Sequence, residues 1–320
     1  MLTWPLVRSG KGNSMSVRRS VHQGIAQAIA ACLVLFACGL LASGAALTYE
    51  QSVAQWRHDY EASLRSDDGW LSVAGLFWLH EGKNSFGSDP LNDIVLPAGL
   101  MPASAGYFDF HNGNTWVHVN PGVPILKRGK PVELAQLHSD SSSDQLTIGT
   151  LTLYVHASGA RYAIRLQDKN SKILRDFKGL RWFPVDPSYR IVANFVPYDP
   201  PKQITMQNIM GDTGTASFVG YVTFSVGGQQ CRLDAEGDPA KGLSFVFRDL
   251  TGGEETDPAA RFLDAPPPKD GKVVLDFNEA YNPPCAYNPY TTCPVPPPED
   301  RLRVKIQAGE KMYEPNGGTP

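Results

Sequence analysis

The sequence predicts a mainly β protein, an antiparallel β barrel or sandwich with one N-terminal amphipathic helix. Three observations lead there. Apolar and polar residues alternate with a period of two in many short runs beyond Asp68-Gly69. Turn-forming residues separate these runs at hairpin spacing. Gly and Pro number 30 and 26 of 320 residues and are well spread, which favours frequent turns over long helices. Apolar residues make up 42% and charged residues 19%, a balance that supports a sizeable core and excludes a wholly disordered chain.

The chain opens on an export signature. Arg18 and Arg19 precede an uncharged run from Ser20 to Tyr49, and small residues Ala42, Ser43, Gly44, Ala45 and Ala46 close it. A positive start, an apolar middle and a small-residue exit predict a signal peptide over residues 1–46, with an uncleaved anchor as the alternative. Both place the rest outside the cytoplasm, periplasmic or secreted, with membrane contact only through an uncleaved segment. Removing residues 1–46 takes away Arg8, Lys11, Arg18 and Arg19 and no acids, so the formal charge falls from -3 to -7. That sign argues against nucleic acid, which needs a concentrated basic face.

A single β-rich domain is expected over residues 47–313, followed by a disordered tail over 314–320. Thr48 and Gln51 have the capping-box spacing, and Val53, Trp56, Tyr60 and Leu64 recur at helical spacing to about Ser66. That aromatic stripe reads as a packing face. Hairpins follow at Tyr107–His111 with Thr115–Val119 around Asn112-Gly113-Asn114, and at Leu151–His156 with Arg161–Leu166. A third joins Tyr221–Val226 to Gln229–Leu233 through Gly227-Gly228. Arg190–Val196, Leu243–Arg248, Lys272–Phe277 and Leu302–Gln307 complete the predicted strands.

Several chemistries lack their motifs. There is no Gly-x-Ser-x-Gly elbow, no second histidine at zincin spacing after His80-Glu81, and neither a phosphate-binding loop nor a dinucleotide glycine fingerprint. No cofactor or metal is expected. The least ordinary stretch is Asp276–Pro298, in which a strand runs into a proline-stiffened loop holding Cys285 and Cys293. In an exported protein their simplest reading is a disulfide, with a reactive thiol as the alternative.

These residues carry a resemblance. Asp68-Gly-Trp-Leu71, Gly75-Leu-Phe-Trp-Leu79 and Phe86-Gly87, then Arg165-Leu-Gln-Asp168 and Phe177-Lys-Gly-Leu-Arg-Trp-Phe-Pro184 match one pattern. Phe247–Leu263, Asp276–Pro298 and Ala308-Gly-Glu-Lys311 extend it. The chain resembles the uncharacterised prokaryotic family labelled domain of unknown function 1684. The resemblance implies no activity. It marks Glu255, Thr256, Arg261, Asp276, Asn278, Tyr281, Asn282, Cys285, Cys293 and Glu299 as characteristic. It also shows departures at Asp257, Pro258, Ala260 and Asp300, where tyrosine, two glycines and asparagine are usual.

Two functions compete on the polar residues. In the first, a small and possibly anionic ligand is bound, with Arg165, Arg261, Asn278 and Tyr281 contacting it in an aromatic-lined cavity. In the second, the protein is a hydrolase in which Glu255 and Asp276 divide acid and base work and an arginine stabilises negative charge. Whether the protein is an enzyme stays open. Arg165 shares a strand face with Arg161, Ala163 and Gln167, and the simplest expectation is a solvated face. Asp276 and Asn278 are expected on one strand face, gathered with Arg165, Glu255 and Arg261 at one mouth of the domain.

Overall fold

The computed structural model describes residues 47–315; the predicted signal segment and residues 316–320 lie outside them. Strand accounts for 46% and helix for 14%, well under the globular helix average of roughly 30%. Residues from Leu47 onward form one compact unit. No helix among the described residues is long and apolar enough to cross a membrane.

The opening helix runs Tyr49–Leu64. The Gln51 N–H donates to Thr48 Oγ1 and the Thr48 N–H donates to Gln51 Oε1, which closes the expected capping box. Its aromatic stripe is indeed a packing face: Trp56 and Tyr60 stack and meet Trp182 and Tyr281.

Two β layers build the N-terminal half. One sheet orders the strands 73–78, 161–168, 151–158, 146–148, 126–127 and 130–131; the other orders 94–95, 82–87, 106–111, 114–119 and 134–137. Their facing sides share a core of Phe86, Phe108, Val117, Leu151, Val155, Ile164 and Leu166. A third sheet orders 261–265, 242–247, 229–238, 213–226, 190–207 and 272–276, and it curls into a nearly closed barrel. Phe224, Leu233, Phe245, Phe247, Leu275 and Phe277 fill it.

Turn chemistry sets the hairpins. Asn112 and Gly113 both take positive φ (48° and 80°), the two-residue turn whose twist matches the flanking strands. Gly227 and Gly228 do the same at 56° and 81°.

Two expectations need correction. Leu302–Gln307 is no strand. The Arg261 guanidinium donates to the carbonyls of Ile306 and Ala308, so these acceptors serve a side chain instead of a ladder. The strand ending at Asp276 does not continue to Asn278 either. Asp276 Oδ1 accepts the Asn278 N–H at 3.1 Å and caps a short 3-10 turn, Phe277–Glu279. Near the end of the described residues, Glu314 pairs with Arg181.

Candidate functional site

The central strand 161–168 pairs on both sides, and the register determines what faces what. Leu76, Arg165 and Tyr154 form one row; Trp78, Ala163 and His156 form the next. Directly opposed residues share a face, so Arg165, Tyr154, His156 and Trp78 all lie opposite the apolar core side.

That face is not the solvated one expected. Ala163, Arg165 and Gln167 are all buried. The cover is the proline-cysteine loop. Asn288 Nδ2 donates to the carbonyls of Trp70 (2.9 Å) and Val73 (2.7 Å), pinning the loop to the first sheet. On its other side the Ile209 N–H donates to the Cys293 carbonyl and the Val295 N–H to the Gln207 carbonyl, pinning it to the barrel sheet. The result is a seam between the two β layers and the barrel.

Arg165 is the unusual group in this seam. Its side chain passes near the Trp70 ring, with the guanidinium carbon 5.6 Å from the centroid, and the residue is only 4% exposed. Its Nε and Nη2 have no hydrogen-bond partner within the protein. No carboxylate among the described residues lies within ion-pair distance of it, although Asp140 is close enough to feel its charge. Burial pushes the neighbouring Tyr154 phenol up, and the Arg165 charge and its hydrogen bond with the phenol oppose that shift. Arg161, two residues away, is fully used: it forms a bidentate pair with Asp212 at 2.7 Å and lies over the Trp78 ring.

Beside Arg165, three side chains from separate segments line up. His156 Nδ1 is 2.9 Å from Asp140 Oδ1, and His156 Nε2 is 2.9 Å from Thr292 Oγ1. Asp140 sits in a turn at φ 53°, held by its own N–H on the Val155 carbonyl and by the Ala157 N–H on Oδ2. Burial raises its pKa, but the hydrogen bond from His156, the backbone donor and Arg165 together hold it below the usual carboxylate value. Nothing in the sequence singled out Asp140, His156 or Thr292, because 136 residues separate the last two.

The residues expected to form one mouth have separate partners. Arg261 is fully buried and donates to Asp249 Oδ2 at 2.6 Å; Asp249 Oδ1 in turn accepts from Thr251. Glu255 accepts from Gln307 Nε2 at 2.8 Å and faces Lys305. Asp276 accepts the Tyr49 hydroxyl on both oxygens at 2.9 Å, while the wholly buried Asn278 donates to Tyr49 and to the Asp186 carbonyl. These contacts tie the opening helix to the barrel. Beside them Glu279 is pushed up to about 7 by burial and by Asp276. Tyr281 donates to Asp264 and packs in the helix cluster.

Cys285 and Cys293, the pair expected to be joined, stand side by side as free thiols. The Cys285 N–H donates to Cys293 Sγ at 3.3 Å. The hydrogen bond from the Cys285 thiol, with this amide and Thr291, lowers the Cys293 pKa despite burial. Cys231 is buried in the barrel core. Among the described residues no group of three or more His, Cys, Asp or Glu is arranged to hold a metal ion.

Fold and seam define an antiparallel β protein whose C-terminal proline-rich loop covers a charged face. The model of the family described as protein of unknown function (DUF1684) matches residues 175–311, and the chain belongs to that family. The matched span carries Cys285, Thr292 and Cys293 and starts after Arg165, so half of the seam lies outside it. The chain is also similar to an uncharacterised protein from Haloarcula marismortui solved in solution by NMR, at 32% identity. That match covers 43% of this chain and 78% of that one, with a TM-score of 0.37. No curated protein matches the chain.

Proposed function

We propose that the protein acts outside the cytoplasm and binds a small anionic ligand in the seam beneath the proline-cysteine loop, with Arg165 as the recognising cation. One observation supports this above the rest: Arg165 is buried while two of its guanidinium nitrogens lack partners. An unpaired buried cation costs several kcal/mol, and a bound carboxylate, phosphate or sulfate would offset that cost by accepting two parallel N–H donors. The Trp70 ring supplies an apolar wall that strengthens such a contact by keeping water away, and the Tyr154 phenol lies against the guanidinium. Arg161 and Arg261 already have carboxylate counter-charges in Asp212 and Asp249, so neither competes for this role.

Titration calorimetry with phosphate, sulfate and succinate tests the reading. Wild-type protein is expected to bind at least one of them, and Arg165→Met to bind none. Equal binding by both proteins would place the anion elsewhere.

A further inference from the structure

The seam holds a second device. A carboxylate can only accept a hydrogen bond, so the 2.9 Å contact to Asp140 places the imidazole proton on His156 Nδ1. Nε2 then offers its lone pair to the Thr292 hydroxyl at 2.9 Å. Among the described residues, His156 alone joins a carboxylate to a hydroxyl. His58, His111 and His138 meet only acids, His80 meets an acid and a carbonyl, and His118 stacks on Tyr107. The order carboxylate, imidazole, hydroxyl is the arrangement that activates an oxygen nucleophile.

The surroundings suit that role. His156 is mostly buried, which fixes the ring, while Thr292 is partly exposed and open to a substrate. The loop is anchored through Asn288 on one side of Thr292 and through Cys293 and Val295 on the other, so its hydroxyl is held in place. Thr291 next to it is buried and spends its own hydroxyl on the Asn288 carbonyl. Arg165 lies diagonally across the ladder from His156, roughly 7–8 Å away at the backbone and within reach of a long side chain.

We propose that Thr292 is a nucleophile, and that the seam hydrolyses small esters bearing a second, anionic group. The proposal rests on Arg165 binding that group. Thr292 Oγ1 attacks the ester carbonyl carbon as its proton passes to His156 Nε2. The bond from that carbon to the alcohol oxygen breaks, and the departing oxygen takes the proton from His156. Water then attacks the acyl-threonine, giving one proton to His156, which returns it to Thr292 Oγ1 as the carboxylic acid leaves. Asp140 is a positioning residue: it holds the tautomer and does not touch the substrate.

The test uses the purified full chain with mono-p-nitrophenyl succinate and p-nitrophenyl acetate, following nitrophenolate release. Quenched samples are mapped by tandem mass spectrometry. Wild type is expected to favour the succinate ester and to carry a succinyl group on Thr292. Thr292→Val and His156→Gln should each cost at least about 100-fold in kcat/KM with an unchanged melting temperature. Thr292→Ser should keep turnover, which separates chemistry from a folding defect, and Asp140→Asn should lower kcat while leaving KM in place. Turnover that survives Thr292→Val, with no adduct on Thr292, overturns the nucleophile. Free succinate binding measured on the Thr292→Val protein reports on Arg165 separately: its loss together with wild-type binding loss overturns the anion site, whereas its retention leaves that site standing.

Discussion

Replacing Arg165 with methionine should make the unliganded protein more stable, the reverse of what removing a buried, contact-making residue normally does. Methionine keeps an unbranched stem to pack along Trp70 and Tyr154 and removes only the charged head. In wild type the residue is 4% exposed, and its head has two unpartnered nitrogens and draws on Asp140 from beyond ion-pair distance. Exchanging poorly compensated buried charge for apolar atoms typically yields about 1–4 kcal/mol. The Asp140 field cancels part of this, so about 1–2 kcal/mol is expected, a melting temperature higher by roughly 2–6 °C. An anion should reverse the ranking. At a hundred times its Kd it adds about 2.7 kcal/mol to wild type and nothing to the variant. Urea midpoints in matched chloride and succinate, with the variant as control for general salt effects, measure both numbers. A variant less stable than wild type in chloride, with an equal succinate shift, would refute the reasoning.

Three further outcomes follow from the same geometry. Asp249→Asn leaves the Arg261 cation wholly buried without its counter-charge, so it should cost about 3–5 kcal/mol in urea unfolding, whereas Glu254→Gln on the surface should stay within about 0.5 kcal/mol. Glu310 is buried against Tyr287 and Asn282 and is raised to about 7, chiefly by burial. Its folded state holds a proton that the unfolded chain releases near 4.3, so it favours folding below that pH and its contribution fades as pH rises to about 7. Glu310→Gln should flatten that slope in midpoints measured at pH 5 and 7. Mild oxidation of the folded protein should join Cys285 to Cys293 within one chain and spare the buried Cys231; peptide mapping that finds intermolecular or Cys231-containing bridges would contradict the placement of the thiols.

The hairpins were legible because their information is local: Asn112-Gly113 and Gly227-Gly228 demand positive φ, and the flanking alternation sets the faces. Thr48 and Gln51 marked the helix start for the same reason. What sequence reading missed depends on long-range cover. Leu302–Gln307 alternates like a strand, yet a buried arginine from another strand takes two of the nearby carbonyls. The Arg165 face was recognised as a face, but its burial comes from a loop more than a hundred residues later. The acids expected to do chemistry, Glu255 and Asp276, drew attention by type and context, while their neighbours bind them into structural contacts. Asp140, His156 and Thr292 had no shared local signal at all.

The proline-cysteine loop is fastened to both the first sheet and the barrel sheet, and this has a consequence for how the protein is made. A chain that emerges from a ribosome or crosses a membrane N-terminus first can pair strands 73–78, 151–158 and 161–168 long before the loop arrives. Through that interval the Arg165 face is open to water, where its cation is hydrated and cheap to keep. Only when Asn288 reaches the carbonyls of Trp70 and Val73 does the seam close, and Thr292 meets His156 in the same event. The arrangement proposed to recognise an anion is therefore complete only once the loop is in place. A product truncated between residues 239 and 287 would contain all three hairpins and still lack both Asn288 and Thr292.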